Sequence, residues 1–447
     1  MEINSFFEET VDDVSREYKI LVYPNITYQS DLEKDSFVVV IGNIIKELNK
    51  IRNDLFWTLI LPKHIPSLDF DNTEQIYYGY PSYPNSMRCH FDFNKMMKLI
   101  DWKHNEWDIV YSHLPEHTLQ LKNLFYNTTN CKPIFVGYTH WSEFPEITNY
   151  EQTLLDINFL GLAEMIECGI NTVGQKNLIL KNAKKRFNDD FVAKLDSIIK
   201  PHYLGWGIPE YDKADKFKEK VIVFNHRPHE YKSYPWFIKM MDKLREQRGD
   251  FKVWVPLAEK PERDFFFVGK NKTRREYLTT LSRCRFGVCG KQKYAGWAVS
   301  ATDGMSVGIP YLYSDDDYYH ELADHAGLYF DTAEDFLKKC NQYLDDNKLY
   351  NKHSNSSLKR FSENTWKHNI YRFDDMFNKA TKSLRCMSET DSYKKIVKYI
   401  HDNKSVSKND IMEYLGWGVR ISFTDYRNRL RNETGIKLTK SRYTSTL

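Results

Sequence analysis

No apolar run in this chain approaches the ~18 residues needed to cross a bilayer, which excludes a membrane-spanning helix as an organising element. The opening Met-Glu-Ile-Asn-Ser-Phe-Phe-Glu-Glu-Thr is acidic and lacks the charge-then-apolar order of a secretory leader. A cytoplasmic protein with no membrane partner is therefore expected. Cysteine is scarce and unpatterned: Cys89, Cys131, Cys168, Cys284, Cys289, Cys340 and Cys386 form no Cys-x-x-Cys pair and no Cys/His cluster with zinc spacing. Reduced, buried thiols and no metal are expected. Net charge is also small, at +3, yet unevenly placed. Residues 388–447 hold 12 Lys/Arg against 7 Asp/Glu, and the remainder 52 against 54, so all the excess positive charge lies in the last sixty residues. Such asymmetry points to a nucleic-acid or membrane-surface partner, or to a small solvated domain.

What is present is a long chain rich in rings. At 447 residues, 41% hydrophobic and 15% aromatic, it exceeds the usual span of one core and predicts two or three domains. Strand-like runs alternate with helical segments: Tyr18-Lys-Ile-Leu-Val-Tyr-Pro, an amphipathic helix over Phe37–Ile51, then Phe56-Trp-Thr-Leu-Ile-Leu-Pro. Two further short strands, Asp108-Ile-Val-Tyr-Ser-His113 and Pro133-Ile-Phe-Val-Gly-Tyr-Thr-His140, each end in a histidine. The rhythm restarts after Trp206-Gly-Ile-Pro209, with strands at Val221-Ile-Val-Phe-Asn, Phe251-Lys-Val-Trp-Val-Pro and Phe286-Gly-Val-Cys, and helices over 234–247 and 272–283. This predicts two doubly wound α/β domains joined near 190–215, with ligands held at the carboxyl ends of the strands. Phe361–Phe377 reads as one long closing helix, and a composition break follows at Ser383–Thr390.

The tail then reads as helices over 392–402, 408–416 and 423–433 and a strand pair around Ile436–Ser445. Ser407 is placed to cap the second helix, with Val406 and Ile411 spaced as a hydrophobic staple. Phe423, Tyr426 and Leu430 make the buried face of the third, which leaves Arg427 and Arg431 one turn apart on another face. Three short helices and a hairpin form a winged helix, whose third helix commonly enters the DNA major groove. Arg420, Arg427, Arg431, Lys437, Lys440 and Arg442 are the candidate DNA contacts; protein docking or a structural cap are the other uses of such a module.

Two stretches suggest chemistry. After the strand Val221-Ile-Val-Phe comes Asn225-His-Arg227-Pro-His-Glu-Tyr-Lys232. A planar guanidinium and a mobile ammonium five residues apart at a strand end suit a diphosphate. Farther on, Cys289-Gly-Lys-Gln-Lys-Tyr-Ala-Gly296-Trp297-Ala298-Val-Ser-Ala-Thr-Asp303-Gly-Met-Ser-Val-Gly308-Ile-Pro310 carries a strand into a small-residue loop and a short helix starting near Trp297. Free N–H groups at such a helix start hold phosphate, and a carboxylate one to two turns on can take two ribose hydroxyls.

With these residues in view, the chain over roughly 18–380 resembles GT-B-fold glycosyltransferases, in particular the retaining family that includes sucrose synthase and many glycan-building enzymes. Arg227 and Lys232 match its G-R-x-x-x-x-K-G segment, and Asp303-Gly-Met-Ser-Val-Gly308-Ile-Pro310 its second acidic position with G-x-P. Trp206-Gly-Ile-Pro resembles its interdomain element, the strand ends at His113 and His140 its D-V-V-H-x-H and T-x-H, and Phe361-Ser…Trp366 its returning helix. The resemblance implies two Rossmann-like domains facing a cleft, and a UDP-sugar donor with no permanently bound cofactor. It implies that Arg227 and Lys232 bind the donor diphosphate, Asp303 the ribose, the backbone of Gly296, Trp297 and Ala298 the phosphates or sugar, and the Val268-Gly269 loop the uracil. His140 would lie near the donor sugar. Two departures stand out: Ala295 occupies the first acidic position, and Asn25-Ile-Thr-Tyr-Gln-Ser-Asp31-Leu-Glu-Lys replaces the Gly-rich first loop. An inverting reaction would need a general base, for which Asp31, His113, Glu116 and Glu143 are candidates.

A cytoplasmic GT-B enzyme with a basic winged-helix tail looks like a DNA-modifying glycosyltransferase of the bacteriophage kind, working in the host cytoplasm as a monomer. The expected reaction puts glucose or a related sugar, such as arabinose, on the hydroxymethyl group of a 5-hydroxymethylpyrimidine (hydroxymethylcytosine or its uracil counterpart) in double-stranded DNA. The alternatives are a GT-B enzyme acting on a glycan or glycolipid with a protein-docking tail, and a non-catalytic DNA-binding protein on a degenerate scaffold. The corresponding domains are 1–200 (acceptor), 201–360 (nucleotide sugar), 361–385 (closing helix) and 388–447 (winged helix).

Overall fold

The computed structural model describes residues 17–24, 36–61, 73–78, 90–129, 132–139, 152–269, 273–292, 297–414, 436–438 and 442–445. The chain divides into two compact units, Lys19–Phe377 and a second made of Met1–Tyr18 with Asn378–Leu447.

The larger unit begins with β1 (Tyr18–Tyr23), α1 (Ser36–Leu48), β2 (Leu55–Leu61), β3 (Thr73–Tyr78), α2 (Phe93–Leu99), β4 (Ile109–Ser112), α3 (Pro115–Thr128), β5 (Ile134–Thr139), α4 (Gln152–Leu162), β6 (Glu167–Ile170), α5 (Val173–Ala183), α6 (Asp189–Ile198) and β7 (Ile199–Pro201). It continues with β8 (Lys220–Val223), α7 (Tyr234–Gln247), β9 (Phe251–Trp254), β10 (Phe266–Phe267), α8 (Arg274–Ser282), β11 (Phe286–Cys289), α9 (Val299–Ser306), β12 (Tyr311–Ser314), α10 (Asp317–Ala323), β13 (Gly327–Phe330), α11 (Ala333–Asp345), α12 (Asn347–Ser362) and α13 (Trp366–Asn403). The first set forms a seven-stranded sheet in the order β3-β2-β1-β4-β5-β6-β7, the second a six-stranded sheet in the order β10-β9-β8-β11-β12-β13. The pairings described within both sheets are parallel. Each order reverses once, between β1 and β4 and between β8 and β11, and ligands of doubly wound sheets collect at that reversal.

The strands are short apolar runs buried on both faces, as a parallel sheet covered by helices requires. The high aromatic share goes inside: Trp57, Trp102, Trp254, Tyr111, Tyr138, Tyr311, Tyr313, Tyr319 and Tyr343 are all fully buried. Helix starts follow local chemistry, with Asp92, Thr172, Asn188, Thr332 and Asp346 each accepting an orphan backbone N–H. The two sheets meet through the linker and two helices. The backbone N–H of Val173 at the start of α5 donates to both oxygens of Glu321 on α10, at 2.8 and 2.9 Å. This places a carboxylate at the positive end of a helix. Trp206 N–H donates to Asn364 O at 3.0 Å, and a Cβ on Gly205 would sit 2.2 Å from Trp366 Cα.

Two sequence expectations need correction. Phe361 does not begin the closing helix; it lies in the last turn of α12, and a break at 363–365 precedes α13. Asn364 turns its amide back onto Arg360 O and Thr365 Oγ1 meets His368 Nδ1, so the two polar side chains punctuate the chain. Conversely, the composition break at Ser383–Thr390 is no break. Helix α13 passes through it to Asn403, absorbing the segment expected as a separate helix over 392–402. The stretch is polar but contains neither Gly nor Pro, the residues that end helices. The boundary between the compact units accordingly falls inside α13, at Phe377/Asn378. β3, β6, β7, β10 and β13 also went unanticipated as strands.

The smaller unit carries β14 (Ser405–Ser407), α14 (Lys408–Tyr414), β15 (Ile436–Leu438) and β16 (Arg442–Ser445), with an antiparallel sheet in the order β14-β16-β15. Ser407 and Asp410 cap α14 reciprocally: Asp410 N–H donates to Ser407 Oγ at 3.2 Å and Ser407 N–H to Asp410 Oδ2 at 2.7 Å. Val406 and Ile411 are buried in one small core with Ile396, Ile400 and Ile436. The expected third helix, 423–433, lies outside the described residues.

Candidate functional site

The reversal of the second sheet gathers side chains from β8, α8, β11, α9 and β12. β8 delivers Asn225, His226 and Arg227 in succession. Asn225 is buried, and its amide donates to Tyr277 Oη at 2.9 Å and Ser300 O at 2.8 Å. Tyr311 Oη of β12 donates to Asn225 Oδ1 and to Ser300 O, both at 3.0 Å. This network ties the first turn of α9 to the end of β8, so the helix start is held by buried polar groups and not by a side-chain cap.

His226 is also buried. Its Nδ1 lies 2.6 Å from Ser300 Oγ and its Nε2 3.1 Å from Cys289 Sγ. Burial, with the Lys232 charge nearby, depresses its pKa to about 3, so the ring is neutral at physiological pH. Burial pushes the Cys289 thiol well up. Cys168, Cys284 and Cys340 are likewise buried, free and raised by burial. Iodoacetamide at pH 8 is therefore expected to leave these four unmodified in the native protein and to label them after denaturation. Peptide mass mapping checks this, and native labelling of Cys289 would contradict the closed Cys289–His226–Ser300 contact.

Arg227 is exposed, while Lys232 is half-buried at the end of a short 3-10 turn, Glu230–Lys232. The Lys232 ammonium donates to Gln292 Oε1, and Gln292 Nε2 donates in turn to Tyr319 Oη at 2.6 Å. Tyr319 Oη donates to Gly290 O at 2.9 Å. Burial brings the Lys232 pKa down to about 8, opposed in part by Cys289 and helped by a smaller repulsion from Arg227. Ser233 closes the turn with φ 60°, a left-handed residue. Its hydroxyl donates to Lys291 O, linking the loops after β8 and β11.

Asp303 lies in α9, only 8% exposed. Burial raises its pKa, opposed by Arg274, whose Nη2 is 2.6 Å from Oδ1, and by Tyr277. Trp297 and Ala298, just before α9, are both buried, and Trp297 stacks on Tyr203 at 5.3 Å. Val268 and Gly269 follow β10, the first partly buried and the second exposed. Gly296, like Ala295, lies outside the described residues.

Of the sequence-derived candidates, Arg227, Lys232, Asp303, Trp297 and Ala298 thus meet at one end of one sheet. Sequence reading missed Asn225, His226, Arg274, Tyr277, Ser300 and Tyr311. Arg274 and Tyr277 share a helix face at i, i+3, a signal that existed but pointed nowhere without Asp303 beside it. In the first sheet, His113 follows β4 and is fully buried, its Nε2 3.0 Å from Tyr111 Oη and its ring against Tyr138. Glu116 is fully buried in the first turn of α3. Asp31, His140 and Glu143 lie outside the described residues, as do Arg420, Arg427, Arg431 and Lys440. Lys437 stands on β15 and Arg442 on β16, opposite Thr444 and Ser407 respectively. Among the described residues no group of His, Cys, Asp and Glu has the geometry of a metal site, and no helix is long and apolar enough to cross a membrane.

No protein-family model and no curated protein matches this sequence. Solved structures do match. Sucrose-phosphate synthase from Thermosynechococcus elongatus superposes with a TM-score of 0.63 at 11% identity, over 82% of this chain and 100% of that one. Anabaena HepE in complex with UDP and glucose gives 0.56 at 11% identity, over 81% and 100%. Trehalose-6-phosphate synthase OtsA gives 0.57 at 11% identity, over 80% and 99%. At this identity the likeness shows the fold, a GT-B pair of α/β domains.

Proposed function

We propose that this chain is a UDP-sugar-dependent glycosyltransferase, and that its acceptor is the hydroxymethyl group of a 5-hydroxymethylpyrimidine in double-stranded DNA. One observation carries the donor half: Arg227 and Lys232, in the turn after β8, and Asp303, far along the chain in α9, all lie where the second sheet reverses. Two cations face a diphosphate and a carboxylate faces the ribose. Anabaena HepE, of the same fold, holds UDP and glucose. The bond from the anomeric carbon to the diphosphate oxygen breaks and one to the acceptor oxygen forms. UDP leaves with the pair of electrons, and the proton of the acceptor hydroxyl passes to a general base or to the departing diphosphate oxygen. Arg227 and Lys232 neutralise the charge that grows on the departing diphosphate.

The acceptor half rests on the tail. Its charge excess of +5 over residues 388–447, its capped helix α14 and its three-stranded antiparallel sheet fit a winged helix that grips DNA phosphates. Arg420, Arg427, Arg431, Lys437, Lys440 and Arg442 are the proposed contacts. The first sheet then serves the acceptor, with His113 after β4 as one candidate and Asp31, His140 and Glu143 as the others. A base inside a duplex must be flipped out to reach the anomeric carbon.

The test incubates the protein with UDP-glucose and related UDP-sugars and a hydroxymethylated duplex, then weighs the digested nucleosides. A nucleoside heavier by one glycosyl unit is expected. UDP release only with saccharide acceptors would replace DNA by a glycan. DNA retention with no UDP release from any donor would make the chain a binding protein on this scaffold.

A further inference from the structure

Asp303 carries one of the three donor contacts, yet its surroundings work against it. A carboxyl buried this deeply drifts toward its neutral form, and a protonated Asp303 loses the charge that two ribose hydroxyls would share. The counterweight comes from another element. Arg274 is the first residue of α8, and its Nη2 reaches Asp303 Oδ1 at 2.6 Å while its own side chain remains 67% exposed. The start of α8 is fixed by a capping box: Glu276 N–H donates to Thr273 Oγ1 at 3.1 Å and Thr273 N–H to Glu276 Oε2 at 3.3 Å. The Arg274 Cα is thus anchored, and the guanidinium spans to α9 from a defined point. Among the described residues, the groups acting on Asp303 are Arg274 and Tyr277 of α8, with Tyr311 of β12 feeling its charge in return. Arg274 supplies the positive charge among them. A pair of two exposed side chains contributes little. Here one partner is buried, so removing the other strands a carboxylate inside the protein.

We propose that Arg274 is a positioning residue for the nucleotide, holding the Asp303 carboxylate as a charged acceptor aimed at the ribose hydroxyl pair. The proposal rests on the donor-site reading above and adds to it a residue outside the matched motifs.

The experiment measures binding of UDP and of uridine to the full-length protein by calorimetry between pH 6 and 9. Arg274→Gln is expected to weaken both ligands about tenfold at the acidic end, the scale of one charge-assisted contact. The loss should shrink as pH rises and Asp303 ionises unaided. Arg274→Lys, which retains the charge, should keep most of the affinity, and it carries the test if the Gln variant fails to fold. Asp303→Asn should bind weakly with no such pH dependence. Uridine lacks the diphosphate, so a loss confined to UDP would make Arg274 a phosphate ligand and overturn the proposal. So would an Arg274→Gln profile parallel to wild type at every pH. A wild-type protein that binds neither ligand removes the donor-site reading itself, an outcome distinct from both.

Discussion

Lys232→Met is expected to lower the rate of sugar transfer roughly a hundred- to a thousandfold, the scale seen when one preorganised charge is removed from a transition state. The methionine fills the same space but cannot donate to Gln292 or face a diphosphate. Lys232 is held by a relay in which Gln292 bonds Tyr319 and Tyr319 bonds Gly290 O, so its ammonium does not wander. The depressed pKa adds a signature. As pH rises through about 8 the ammonium loses its proton, and with it the attraction for the leaving diphosphate. Below that pH the charge is present. The value of kcat/KM for the donor should therefore fall above pH 8, because this ratio reports ionisations of the free enzyme. Lys232→Arg keeps its charge throughout, so its profile should lose the alkaline fall even if its rate drops from imperfect fit. Steady-state kinetics over pH 6.5 to 9.5 decides it. A wild-type profile flat to the alkaline end, or near-normal turnover in the methionine variant, would remove Lys232 from this role.

The second large effect concerns the residue after Asp303. A Cβ on Gly304 would sit 2.0 Å from Tyr311 Cε2 and 2.6 Å from its hydroxyl oxygen. The same ring presses on Gly287, where a Cβ would lie 2.2 Å from Cε1. Tyr311 is fully buried between these two glycines, with its hydroxyl committed to Asn225 and Ser300. Gly304→Val must displace the ring or lift α9, at a cost of about 3 kcal/mol from overpacking and broken buried bonds. For a unit the size of Lys19–Phe377 that is a fall in Tm of roughly 4 °C, measured by calorimetry or circular dichroism. Because α9 carries Asp303 and Ser300, UDP binding should weaken as well. Gly304→Val with Tyr311→Leu should recover part of the stability, since leucine vacates the space, but not the nucleotide affinity, since the hydroxyl contacts are gone. Full stability in the single variant would show that α9 and β12 are not packed in this way.

Much of the fold was legible because its signals are local. Helix α7 matched its expected bounds of 234–247, and β8, β9, β11 and β12 fell where apolar runs met turn residues. What misled was punctuation. Residues 383–390 look like a linker by composition, but a helix needs no apolar content to continue once both ends are committed. The Phe361–Phe377 pattern looked continuous, yet Asn364 and Thr365 broke it through side-chain bonds that periodicity does not register. The short strands β7 and β10 carry too few residues to show a pattern before a neighbouring strand supplies their hydrogen bonds.

The same division runs through the candidate site. Arg227 and Lys232 could be picked out because their spacing is local, and Asp303 because of the Gly308-Ile-Pro310 stop that follows it. Which residues touch them was not written in any window of sequence. Arg274 reaches Asp303 across 29 positions and His226 reaches Ser300 across 74, distances that only the order of the second sheet closes. The sequence by itself therefore determined the kinds of element, the two wound sheets and the charges available to meet a nucleotide, because these follow from periodicity and residue type. Tertiary structure alone decided that Asp303 is buried against an arginine, that His226 is neutral and that Lys232 titrates near 8. Burial and the company of other charges set an ionisation, and both are properties of the packed chain.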